Sequence, residues 1–133
     1  MFLGQLCSNL NMAKARQDKR TEQRIQDEIV VDAYGPEEQV MGWYYYLEEH
    51  LHFPFPAKCT DQRAISPLRK GQEVEVVGLA PADECDREMF ITVKWEDRNL
   101  AVPLAQLEVT QGDKATKQAV EDWRYWVAQG YEF

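Results

Sequence analysis

The tetrapeptide "FPFP", residues 53–56, divides the chain into a part that can be helical and a part that cannot. Proline locks its own φ, removes a backbone donor and biases the preceding residue toward extended conformations. Pro54 and Pro56 therefore end any helix that approaches them, and Phe53 and Phe55 are biased toward extended backbone. The apolar periodicity changes on crossing this point, from about 3.6 to 2.

Upstream, Ile25, Ile29 and Ala33 recur at helical spacing and predict a helix from Thr21 to Tyr34. In "YGPEE", Gly35 is expected to close that helix at C′ and Pro36 to open the next at N1. The second helix is expected from Pro36 to Leu51, with Val40, Trp43, Tyr44, Leu47 and Leu51 forming one apolar stripe. Trp43 to Tyr46 cannot all face inward, so Tyr45 and Tyr46 are the candidates for exposure, and a core seam to the barrel is favoured for them over a partner contact.

Downstream, "GQEVEVVGL" sets Val74 and Val76 against Glu73 and Glu75. "EMFITVKW" sets Met89, Ile91, Val93 and Trp95 against Phe90, Thr92 and Lys94, with Glu88 outward. "EDRN" turns into a third strand, "LAVPL", and Ala57 to Ile65 supplies another. The last helix, "TKQAVEDWRYWVAQGYEF", has Thr116 as N-cap, Ala119, Trp123, Trp126 and Val127 as its apolar face and Gly130 at C′. The expected fold class is α+β: an N-terminal helix pair and a C-terminal helix packed on a small SH3-like β-barrel. Residues 1–20 are expected to be a flexible leader, with Met12 an alternative start. Residues 21–133 form the domain, divided into helices 21–52, barrel 57–109 and C-terminal helix 114–130.

The formal charge of −8 conceals +3 over residues 1–24 and −11 over the remainder. Such a body repels nucleic acid and anionic membranes and attracts cations or a basic protein partner. No apolar run approaches the roughly 20 residues of a membrane-spanning helix. Cys7, Cys59 and Cys85 lack metal-site spacing and fit a reducing cytoplasm.

Asp83, Glu84, Asp86 and Glu88 crowd one connection between two strands. Mutual repulsion of four carboxylates is relieved by a hard divalent cation, and Ca²⁺ accepts six to eight oxygens in flexible geometry. The other reading is a solvated acidic loop that keeps a hairpin edge soluble. An EF-hand is excluded: counting from Glu84, Met89 stands where glycine is required and Trp95 where a bidentate glutamate belongs. Asp32, Glu37 and Glu38 form a second candidate around Gly35, although two glutamates in a first helical turn are also ordinary dipole partners. His50, His52 and Cys59 make a poor zinc set, because residues two apart on a helix point away from each other. No nucleophile elbow or phosphate loop is present, so the chain reads as a non-enzyme.

The segments "EIVVDAY", "MGWYYYLEEHLHFPFPAKC", "AISPL", "MFITVKW", "AVPLAQLE" and "EDWRYWVAQGYEF" together resemble the cyanobacterial calcium-binding protein family over residues 21–133. These are small acidic proteins without EF-hands, linked in cyanobacteria to calcium buffering during heterocyst differentiation. The resemblance implies reversible Ca²⁺ binding by an acidic surface, as a buffer or sensor, at more than one site of unequal strength. The positions matching the family's acidic features are Asp32, Glu37 and Glu38, and the run from Asp83 to Glu88. The rival expectation is a metal-free module that presents an acidic barrel face and tyrosines to a basic protein.

Overall fold

The structure, a computed structural model, describes residues 18–31 and 33–131; the expected leader up to residue 17 lies outside the described residues, as does Asp32. Asp18 caps the first helix, α1 (Lys19–Arg24): its carboxylate accepts from the Arg20 amide at 3.3 Å and the Thr21 hydroxyl at 2.6 Å. The helix then widens into a π-turn, Ile25–Ile29, closed by Val30 N–H donating to the Ile25 carbonyl at 2.9 Å. Ile25, Ile29 and Val30 are all buried there. The wider turn admits an extra residue while keeping these three on the packed side.

The first helix thus stops short of the expected Tyr34. Gly35 does not close it but serves as the extended N-cap of α2 (Pro36–His50), with Pro36 at N1 as expected. Val40, Trp43, Leu47 and Leu51 are buried as the stripe requires. Tyr46 is a correction: it is 6% exposed, with its hydroxyl donating to Asp122 at 2.8 Å, whereas Tyr45 is 59% exposed as expected.

From Phe55 onward the described residues form five antiparallel strands in one sheet: β1 (Phe55–Cys59), β2 (Glu73–Leu79), β3 (Phe90–Trp95), β4 (Arg98–Pro103) and β5 (Leu107–Val109). Their order is β4-β3-β2-β1-β5. β1 lies earlier than the expected Ala57–Ile65, because Phe55, Ala57 and Cys59 alternate inward against exposed Pro56 and Lys58. A bulge between Val76 and Gly78 shifts the β2–β3 register. The ladder is open rather than a closed barrel, since β4 and β5 are edges that do not pair. A single 3₁₀ turn, Leu104–Gln106, nevertheless carries the chain from one edge to the other. That short span requires the sheet to curl.

Asp113, not Thr116, caps the last helix, α3 (Lys114–Ala128), and accepts from the Thr116 amide at 2.8 Å. Thr116 is instead buried at N3, its hydroxyl accepting from the His52 amide at 3.0 Å. Gly130 follows the helix at φ 83, as a C′ glycine should. α3 packs on both α2 and the sheet end: Trp43 meets Trp123 and Trp126 edge-on, with ring centroids at 5.0 and 5.6 Å. Val127, expected inward, is 37% exposed. Asp122 is 1% exposed and receives both Arg24, at 2.7 and 2.9 Å, and Tyr46, so α1, α2 and α3 share one buried carboxylate. Among the described residues no helix is long and apolar enough to cross a membrane.

Candidate functional site: the acidic loop and the helix corner

The connection from β2 to β3 is pinned at its base and free at its acids. Ala80 N–H donates to the Phe90 carbonyl at 3.1 Å, while the Ala80 carbonyl accepts from the Tyr44 hydroxyl of α2 at 2.7 Å. Cys85 and Met89 are fully buried. The Phe90 amide donates to Cys85 Sγ at 3.3 Å, and the Met89 carbonyl accepts from the Leu104 amide at 2.9 Å. Between these anchors, Asp83 and Glu84 occupy a 3₁₀ turn, Ala82–Glu84, and Asp86 follows; all three carboxylates are exposed.

Their fields converge on Cys85. Burial pushes its thiol pKa up first; the Phe90 amide opposes that, and Glu84, Asp83 and Asp86 each raise it further. Glu88 differs from its neighbours. It is half-buried rather than outward, and Arg63 reaches it with two nitrogens, at 2.8 and 3.2 Å. Arg87, exposed in the same loop, supplies one positive charge among the acids.

A further carboxylate, Glu48 of α2, lies near Tyr44. Burial raises the pKa of the Tyr44 hydroxyl, and Cys85, Glu48 and Asp83 add to that rise. Glu48 stands one helical turn after Tyr44 and so shares the side of α2 that faces the loop. The i, i+4 spacing was visible in the sequence, but the loop's attachment to Tyr44 was not.

At the helix corner, Glu38 is the N3 residue of α2, and its Oε1 accepts from the Tyr34 amide at 3.1 Å. It therefore caps the helix entry. Glu37 is exposed beside it, and the third member of this candidate set, Asp32, lies outside the described residues. The zinc set does not assemble. His50 Nδ1 is 2.8 Å from the Tyr46 carbonyl, His52 pairs with Asp113, and the buried Cys59 thiol donates to the Asp61 carbonyl at 3.1 Å. Among the described residues no three His, Cys, Asp or Glu side chains stand close enough to hold an ion together. Like-charged carboxylates on an exposed loop are expected to stand apart in this way.

Comparison with known proteins places this geometry in a family. A family model described as calcium binding, CcbP, matches residues 23–127. No curated protein matches at a significant level. The crystal structure of Anabaena CcbP is 40% identical with a TM-score of 0.78, covering 90% of this chain and 98% of that one. A solved structure described as a calcium-binding protein in the calcium-binding form is also 40% identical at TM-score 0.78, covering 88% of this chain and 96% of that one. With a family model matched over residues 23–127 and two solved structures 40% identical over most of both chains, the chain belongs to the CcbP calcium-binding family.

Proposed function

We propose that this protein binds Ca²⁺ reversibly through the loop of Asp83, Glu84 and Asp86, with Glu48 of α2 as an additional oxygen donor. The observation that carries the assignment is the combination of a base pinned by the buried Cys85 and Met89 with three exposed carboxylates on the short turn above it. Ca²⁺ suits such a loop because it accepts carboxylates, backbone carbonyls and water together. Mg²⁺, which demands a tighter octahedron and dehydrates reluctantly, suits it less. Glu88 anchors the loop through Arg63 and becomes a ligand by exchanging that partner.

The corner of Asp32, Glu37 and Glu38 is the second, weaker site, because one Glu38 oxygen is already committed to the Tyr34 amide. Residues 21–133 act as one binding domain. The free thiols of Cys59 and Cys85 support a reducing, cytoplasmic setting. No catalytic role is assigned. Ion binding by the folded state alone stabilises it by about 2.7 kcal/mol at a hundred times Kd.

Isothermal titration with Ca²⁺ in a millimolar Mg²⁺ background tests the reading. Wild type gives a saturable heat, and the Asp83→Asn, Asp86→Asn double variant loses the tighter phase. Identical isotherms remove the loop from the site; a flat wild-type isotherm removes calcium.

A further inference from the structure

We propose that the groove between the Ile25–Ile29 turn and α2 docks a basic amphipathic segment of a protein partner. Val31 and Tyr45, 54% and 59% exposed, lie in one concavity. Ile29, Gly42, Tyr46 and His50 line the same concavity, as do the exposed Glu28 and Glu49. An apolar anchor fits between Val31 and Tyr45, and lysines or arginines on either side of it meet the glutamates.

Charge selects the occupant. Between Arg24 and Lys58 the sequence holds seven acidic residues and neither lysine nor arginine. The bordering cation, Arg24, is taken by Asp122. A second copy would bring the same acids face to face, and an anionic membrane would be repelled. Calcium alone gives no use for an exposed Val31 and Tyr45, since hard cations take oxygen ligands. A tyrosine face beside carboxylates favours a cationic partner further. Val31 adjoins the Asp32 corner, but the surface is distinct from the 83–88 loop, so this proposal and calcium binding at that loop stand or fall separately.

The test is fluorescence anisotropy of a labelled amphipathic peptide of about 18 residues, five helical turns. The peptide carries a Leu and Trp stripe with lysines on its flanks. Binding is measured at about 150 mM salt, where the Debye length is about 8 Å, with and without EGTA. The expected result is saturable binding that persists in EGTA. Tyr45→Ala weakens it about tenfold, as loss of an interface anchor should. Glu28→Gln with Glu49→Gln flattens its salt dependence, whereas Glu73→Gln with Asp97→Asn, an equal charge change on the sheet, leaves it unaltered. Tryptophan emission checks that each variant is folded. The proposal is overturned if Tyr45→Ala binds like wild type, if the sheet pair weakens binding as much as the groove pair, or if sedimentation shows self-association through this face.

Discussion

Replacing Gly42 by alanine sets two effects of known sign against each other. Alanine is favoured over glycine inside a helix by about 1 kcal/mol. Against this, a Cβ at position 42 would lie 2.2 Å from the Ile29 carbonyl oxygen and 3.3 Å from its carbon. The next neighbour, Val30 Cα at 3.8 Å, is ordinary contact. The offending atoms are backbone, so no rotamer change relieves the clash, and the π-turn must move by about 1 Å to restore normal contact. That movement disturbs the buried Ile25, Ile29 and Val30 packed beside Trp43. Overpacking of this kind costs about 1–3 kcal/mol, and the upper end applies where backbone must shift. The net expectation for Gly42→Ala is a loss of about 1–2 kcal/mol, which for a domain of this size lowers Tm by about 3–10 °C. Urea and thermal unfolding followed by tryptophan emission measure it. An unchanged or higher Tm would refute the reasoning, because propensity would then have won and the close approach of α2 to the turn would carry no weight. Calcium affinity at the proposed 83–88 site should be unaffected, since Gly42 is not part of that loop.

Other expectations follow from single contacts. Asp122→Asn leaves Arg24 without its charged partner in the shared three-helix network; breaking a buried pair costs about 3–5 kcal/mol, reduced here to about 2–4 because the Arg24 side chain is 24% exposed and asparagine keeps one acceptor oxygen. Urea midpoints should fall accordingly, and a fall under ~0.5 kcal/mol contradicts the network's importance. The Asp113 carboxyl pKa is lowered to about 2, first by its hydrogen bond with His52 and then by the Thr116 backbone and hydroxyl. A depressed folded-state pKa gives stability that is present above the ordinary value of 3.8 and lost as pH falls through about 2. Asp113→Asn, which keeps a capping side chain, should flatten the wild-type decline in Tm between these pH values; an identical decline in both proteins excludes this carboxyl as its source. Glu96 occupies φ 55 in the two-residue turn joining β3 to β4. Glu96→Gly should raise stability by about 0.5–1 kcal/mol once glycine's entropy is set against the relieved strain, and a lower Tm would show that the turn is not strained.

How far the sequence could be read depended on whether a residue's partner was local. The break at Pro54 and Pro56 and the inward set Met89, Ile91 and Val93 follow from backbone sterics and alternation, and both appear as expected. Nothing local in "VEDWRYW" singles out Asp122, whose partners Arg24 and Tyr46 are 98 and 76 residues away. Tyr46 was misread for the same reason: helical periodicity identifies the side of α2 it occupies, not what waits there. Glu88 was read from alternation as outward, whereas Arg63, 25 residues earlier, draws it inward. The π-turn left no periodic signal of its own, since Ile25 and Ile29 are spaced as in an α-helix. An open curled sheet and a closed barrel have the same strand pattern, and only the missing β4–β5 pairing separates them.

The acidic residues divide by a physical criterion that composition does not reveal. Asp122, Asp113, Glu88 and Glu38 are each committed to a donor: Arg24 and Tyr46, His52 and Thr116, Arg63, and the Tyr34 amide respectively. Such carboxylates hold helices and loop ends in place, and recruiting one for an ion means giving up an existing charge-assisted bond. Asp83, Glu84 and Asp86 carry no such commitment within the described residues, yet the buried Cys85 and Met89 fix the chain beneath them. At the proposed site an ion would gain these three carboxylates without displacing a partner, and would order only the short exposed arc between the anchors. A lower ordering cost leaves more of the interaction free energy for affinity. The same logic ranks the helix corner second, because Glu38 must be shared between the α2 entry and any ion. Both substitutions remove one charge, but at Glu38 that charge is already shared with the Tyr34 amide, so in a calcium titration Glu38→Gln should weaken the proposed corner site less than Glu37→Gln.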